Sequence, residues 1–231
     1  MKVFLSFILF CITNNCIAQE TIIYIQKINT IEQFKEAVKK NPKKDLIDIA
    51  KYIPEIHIDM PYATKNNFTG VELYKHPKAY LHIEPAKELK NIENELLKKG
   101  LTLKIFDAYR PYNITCKMWQ LTPNRHYVAN PKKGSNHNRG IALDLTITDI
   151  NTGKELDMGT NFDNFTDSAH HGFQNISIKA KNNRKLLKDI MNKHGFRTLE
   201  KEWWHYTWQQ DIGYEIMDLG FDEIAKIEKT I

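Results

Sequence analysis

Apolar residues recur at helical spacing over residues 31–38 and, more clearly, over 85–99, where Ala86, Leu89, Ile92, Leu96 and Leu97 share one side and Gly100 supplies a stop. A second long helix is expected over 178–194, ending at Gly195, and a shorter one over 112–119. Elsewhere the period drops to two. Residues 55–59, 101–106, 141–147 and 203–208 have the alternation or the aromatic content of strands. Helices and strands follow one another too irregularly for a doubly wound sheet, and even spacing suits half-exposed strands. The pattern therefore predicts an α+β fold in a single domain, with a central antiparallel sheet flanked by helices.

The strand over 141–147 puts Ile141, Leu143, Leu145 and Ile147 on one face and Ala142, Asp144 and Thr146 on the other. Asp144 thus points away from the apolar face. An isolated buried carboxylate is costly, so Asp144 must be paired, exposed or bound to a metal. His137 lies an odd number of positions earlier, and in an unbroken strand the two side chains would diverge. Gly140 is the natural place for a turn that reunites them. In the last strand His205 and Thr207 share a face opposite Trp204, Tyr206 and Trp208, and Glu202 sits three residues before His205. His137, Asp144 and His205 supply three ligands of the kind a catalytic zinc site uses, and Glu202 is a spare carboxylate for proton transfer. Packing alone explains none of this set, although any single histidine is more often a surface or core residue.

Composition narrows the partners. The formal charge of +5 falls to +4 if Lys2 leaves with a signal peptide, and the basic pairs Lys39-Lys40, Lys43-Lys44 and Lys132-Lys133 are dispersed, which excludes a nucleic-acid reader. Residues 1–18 have the form of such a signal: Lys2, an apolar run over 3–12, and Cys16-Ile17-Ala18 before Gln19. That run is too short for a membrane span of about 20 residues, so no stable membrane insertion is expected, and export to a bacterial periplasm or the exterior is. Cys116 would then be the single remaining cysteine, a buried structural thiol with no disulfide partner. No linker or repeat divides the rest. The expected organisation is a signal peptide over 1–18, an N-terminal extension with helices over 19–54, and one domain over 55–231 that carries the candidate chemistry.

Tyr62-Ala63-Thr64, Asp107-Ala108-Tyr109-Arg110-Pro111, Ser135-Asn136-His137-Asn138-Arg139-Gly140, Asp144-Leu145-Thr146, Phe162-Asp163 and Glu202-Trp203-Trp204-His205-Tyr206 occur in that order. In this ordered set the chain resembles the D-alanyl-D-alanine dipeptidase family, which includes the dipeptidase of vancomycin resistance. The resemblance implies one zinc ion held by His137, Asp144 and His205, with Glu202 as general base and later proton donor. It further implies that Arg110 stabilises the transition state and that Ser135 and Asp163 receive the amino terminus of a small dipeptide. Taken alone, Arg110 before Pro111 could be a strand-end structural residue, Asp163 a turn residue and Ser135 a backbone cap. A peptidoglycan D,D- or L,D-carboxypeptidase and a catalytically silent zinc domain that binds wall fragments are the competing readings. Glu202 argues against the silent one, because a structural site needs no spare carboxylate. The preferred dipeptide, the oligomeric state and the physiological metal are not legible at this level.

Overall fold

The computed structural model describes residues 25–123, 125–209 and 212–228, and the proposed signal peptide lies outside them. The elements run β1 (Lys27–Ile28), α1 (Ile31–Lys40), β2 (Leu46–Asp48), α2 (Ile49–Tyr52), β3 (His57–Ile58), β4 (Tyr80–His82), α3 (Ile83–Leu97) and β5 (Leu101–Asp107). They continue with α4 (Tyr112–Leu121), β6 (Ala142–Asp149), α5 (Ile178–Lys193), β7 (Phe196–Leu199), β8 (Glu202–Trp208), β9 (Ile216–Met217) and α6 (Phe221–Glu228). A five-stranded sheet of order β3-β5-β6-β8-β7 forms the centre. It is antiparallel except at one edge, where β3 runs parallel to β5, so the expected antiparallel sheet is mixed there. Two small pairs, β2 with β4 and β1 with β9, complete the α+β fold.

The central strands are not half-exposed, contrary to the reading of their alternation. Seven of the eight β6 residues are buried, including Ala142, Asp144, Thr146 and Thr148 on the polar face. On that face Thr148 bonds to His57 and the Thr102 carbonyl and Asp144 bonds to His205, whereas α3 and α5 contact the sheet through β5, β7 and β8. Along α3, Ala86, Leu89, Ile92 and Leu96 are fully buried as the periodicity requires, and so is Glu93. Before residue 55, Leu46, Ile47 and Asp48 pair with His82, Leu81 and Tyr80, and Ile49 and Ile53 enter the main core. Cys116, expected to be buried, is only partly so, because α4 turns its Thr115 and Met118 inward instead.

Three local departures from regular geometry aim the chain at one place. Gly140 takes a left-handed conformation (φ 61°) and closes the helical turn His137–Arg139, and a Cβ there would lie 3.1 Å from Leu46 Cδ2. The β5–β6 register slips between Ile105 and Asp107. The β7–β8 register slips between Thr198, opposite Tyr206, and Leu199, opposite Glu202. Such irregularities bend a strand and redirect side chains.

Candidate metal centre and substrate cavity

Asp144 and His205 are direct partners across β6 and β8, and the turn at Gly140 brings His137 over them. The ring nitrogen His137 Nε2 lies 3.2 Å from His205 Nδ1 and 3.4 Å from Asp144 Oδ1, and His205 Nδ1 lies 2.9 Å from the same oxygen. One atom from each of the three residues can therefore face a common point, all within 4.8 Å of one another. The far side of each ring has its own partner. His137 Nδ1 is 2.7 Å from the Ala108 carbonyl, which can only accept, so that nitrogen carries a proton and Nε2 is the one that faces inward. His205 Nε2 is 3.1 Å from Thr207 Oγ1, which leaves Nδ1 free to face inward. Two imidazole nitrogens and a carboxylate oxygen converging in one place could hold a cation among them, and the N/N/O set suits zinc. Burial works against the charge of Asp144, yet the flanking His137 and His205 hold its carboxyl well below the usual range.

Glu202, Arg110, Ser135 and Asp163 line the same cavity of about 540 Å³ as the three candidate ligands. The register slip in β8 is what permits it: three positions apart on a regular strand, Glu202 and His205 would face opposite ways. Glu202 is not within bonding range of the ligand set in the hydrogen bonds of the described residues. Burial pushes its carboxyl up to about 7, against the opposing pull of His205. Arg110 is buried and donates from Nε and Nη2 to Asp107 Oδ2 at 2.9 and 2.6 Å, with Nη2 3.9 Å from Asp144. Asp107 also accepts from the Tyr74 hydroxyl at 2.7 Å, so the arginine is fixed from behind.

Ser135 Oγ accepts from the backbone of His137 at 3.2 Å, which makes it a cap of that turn as well as a wall of the cavity. Asp163 holds a left-handed backbone conformation (φ 57°) and accepts from Tyr62 Oη at 3.1 and 3.0 Å. Burial, followed by the nearby Asp144, raises its carboxyl well above the ordinary range. The loop that carries it is gripped by one buried guanidinium: Arg184 on α5 donates to the carbonyls of Met158 (2.6 Å), His170 (2.9 Å) and Ser168 (2.9 Å). His170 and His171 follow in this loop and do not line the cavity.

Supporting residues escaped the sequence reading. Asn138 is fully buried and bonds the Ser135 amide, the Arg110 carbonyl and Thr115 Oγ1, tying three site segments together. Asp107, three residues before Arg110, had a signal in that spacing. Thr207 had one in sharing a strand face with His205. Arg184 had none, because its partners are backbone carbonyls distant in sequence.

Residues 42–224 match a peptidase family described as D-Ala-D-Ala dipeptidase. The chain is 36% identical over 173 residues to the D-alanyl-D-alanine dipeptidase of Escherichia coli (strain K12), covering 75% of this chain and 89% of that one. It is 33% identical over 172 residues to the D-alanyl-D-alanine dipeptidase of Enterococcus faecium, covering 64% and 84%. The chain belongs to the D-Ala-D-Ala dipeptidase family of zinc metallopeptidases.

Proposed function

We propose that the protein hydrolyses the free dipeptide D-alanyl-D-alanine, with one zinc ion held by His137, Asp144 and His205. The observation that carries the dipeptide reading is Asp163, a half-buried carboxylate in the same cavity as the ligand set, whose charge its surroundings oppose and whose only hydrogen-bond donor among the described residues is Tyr62. A substrate ammonium arriving beside it would restore that charge and gain an ion pair, whereas a peptide bond there would leave it uncompensated. Zinc, when bound, supplies a Lewis acid that polarises a carbonyl and acidifies a water. Glu202, raised to about 7, suits a base that takes the proton of the attacking water and an acid that returns it to the leaving amine. Arg110, fixed by Asp107, offers its remaining donor Nη1 to the oxyanion that develops on the scissile carbonyl. Ser135 retains its hydroxyl proton for the substrate's amino-terminal side.

The apolar leader over 3–12 supports export to the periplasm or the exterior, where the dipeptide would derive from wall fragments. Zinc-loaded protein should release D-alanine from D-Ala-D-Ala and not from L-Ala-L-Ala or from a longer peptide ending in D-Ala-D-Ala. Cleavage of the longer peptide alone would establish the carboxypeptidase reading, and zinc binding with no cleavage the silent one.

A further inference from the structure

The cavity has two chemically different ends. At one, Asp163 and Phe68 are shared with a groove that continues past Asn66, Asn67 and Phe106. At the other, Asn136, Arg197, Thr207 and Gln209 are shared with a groove that continues past Arg139, Trp208 and Tyr214. The ligand set lines the same cavity, with His205 bonded to Thr207 of the second end. Arg197 is the direct cross-strand partner of Thr207 in the β7–β8 pairing, which puts its side chain on the face that carries Thr207. Among the described residues it makes no hydrogen bond or ion pair.

A free dipeptide is a zwitterion, with an ammonium at one end and a carboxylate at the other. Asp163 answers the first. The arginines lining the cavity are Arg110 and Arg197, and Arg110 is paired with Asp107 and has its remaining donor assigned to the oxyanion. We infer that Arg197 receives the substrate's C-terminal carboxylate, making it the specificity-determining residue at the leaving end of the dipeptide. A guanidinium can grip a carboxylate with two parallel hydrogen bonds, and an amide or ester in that place offers neither the charge nor the second acceptor. The inference rests on the dipeptidase reading, and it makes the cavity a two-point gauge: an acid at one end and a base at the other, with the reacting bond between. A substrate extended or amidated at its C-terminus loses the second point.

The test is a cycle of Arg197→Gln against the substrate carboxylate. Wild-type and R197Q protein, both zinc-loaded, are assayed on D-Ala-D-Ala and on D-alanyl-D-alaninamide. R197Q should raise KM for the acid by about tenfold or more with kcat within about threefold, and should leave the amide, already poor for wild type, unchanged. R197K should recover part of the loss on the acid. Equal effects of R197Q on acid and amide, or no effect on the acid, would overturn the proposal. Calorimetric binding of D-Ala-D-Ala to zinc-loaded E202A, with and without R197Q, separates this from the dipeptidase reading. Binding that weakens on loss of Arg197 in a protein that never cleaves the dipeptide supports the carboxylate site and defeats only the activity. Binding indifferent to Arg197 defeats the site whatever the activity.

Discussion

The hydroxyl of Thr207 lies 3.1 Å from Nε2 of His205, so the imidazole is oriented by a residue two positions along the same strand. With Nδ1 facing the candidate metal position, Nε2 carries the proton and Thr207 Oγ1 accepts it, alongside a weaker bond from Asn136 Nδ2 at 3.3 Å. Thr207→Val keeps the shape and removes the acceptor. Zinc affinity, measured by competition with a chromogenic chelator, should fall by about 10- to 100-fold, while turnover of the fully loaded variant stays close to wild type. Unchanged affinity would mean that this hydrogen bond does not orient the ligand.

Glu202 shares the cavity with the ligand set without belonging to it. Glu202→Ala should therefore copurify with stoichiometric zinc and lose about 10²- to 10⁴-fold in turnover. A variant that loses its metal yet works when zinc is added would make Glu202 a ligand and move the base elsewhere.

Arg184 holds the Asp163 loop by three backbone carbonyls on either side of it. A lysine cannot reach all three, and each lost charge-assisted bond costs about 1.5 to 3 kcal/mol of local order. Arg184→Lys should raise KM for D-Ala-D-Ala by about tenfold with zinc content and kcat retained, and amides over 158–170 should exchange faster. A folded variant with wild-type KM would show that the loop is positioned by contacts other than those of Arg184.

Glu93 is buried on α3, where Oε2 accepts from the Leu103 amide at 3.0 Å and Oε1 lies 2.5 Å from Thr102 Oγ1. Thr102 has one proton and its hydroxyl reaches both Glu93 Oε1 and the Glu55 carbonyl, the latter at 2.9 Å, so a protonated Glu93 can act as the donor in their contact. Burial raises its pKa above the ordinary 4.5. Between the unfolded and folded values the native state binds the extra proton, so stability falls as pH rises through that window. Glu93→Gln reproduces the neutral donor. Its Tm relative to wild type should improve from pH 4 to pH 8, and an equal loss at both pH values would contradict a protonated Glu93.

Much of this arrangement was legible before folding, and the rest was not for identifiable reasons. Gly140 announced the turn that brings His137 back over Asp144, because a left-handed position is a local property of one residue. The apolar face of β6 and the helices α3 and α5 followed from their periods. Its polar face looked exposed because alternation records polarity and not what covers a strand. Asp144, Thr146 and Thr148 are buried with loops and partners distant in sequence. The slip that turns Glu202 toward His205 depends on how β7 meets β8, a pairing that no local pattern of β8 encodes. Glu93 hid in the apolar stripe of α3 for the same reason, its partners lying on the following strand.

The central claim is that Asp163 recognises a free amino terminus, and comparing kcat/KM of the zinc-loaded protein on D-Ala-D-Ala and on N-acetyl-D-Ala-D-Ala tests it most directly. Acetylation replaces an ammonium by a neutral amide against a half-buried carboxylate, a loss of about 1 to 3 kcal/mol or more, so the free dipeptide should be cleaved at least about fivefold faster. Asp163→Ala should narrow the gap by slowing the free dipeptide more than the acetylated one. Equal rates on the two substrates with wild-type protein would contradict the dipeptidase account and favour the carboxypeptidase reading.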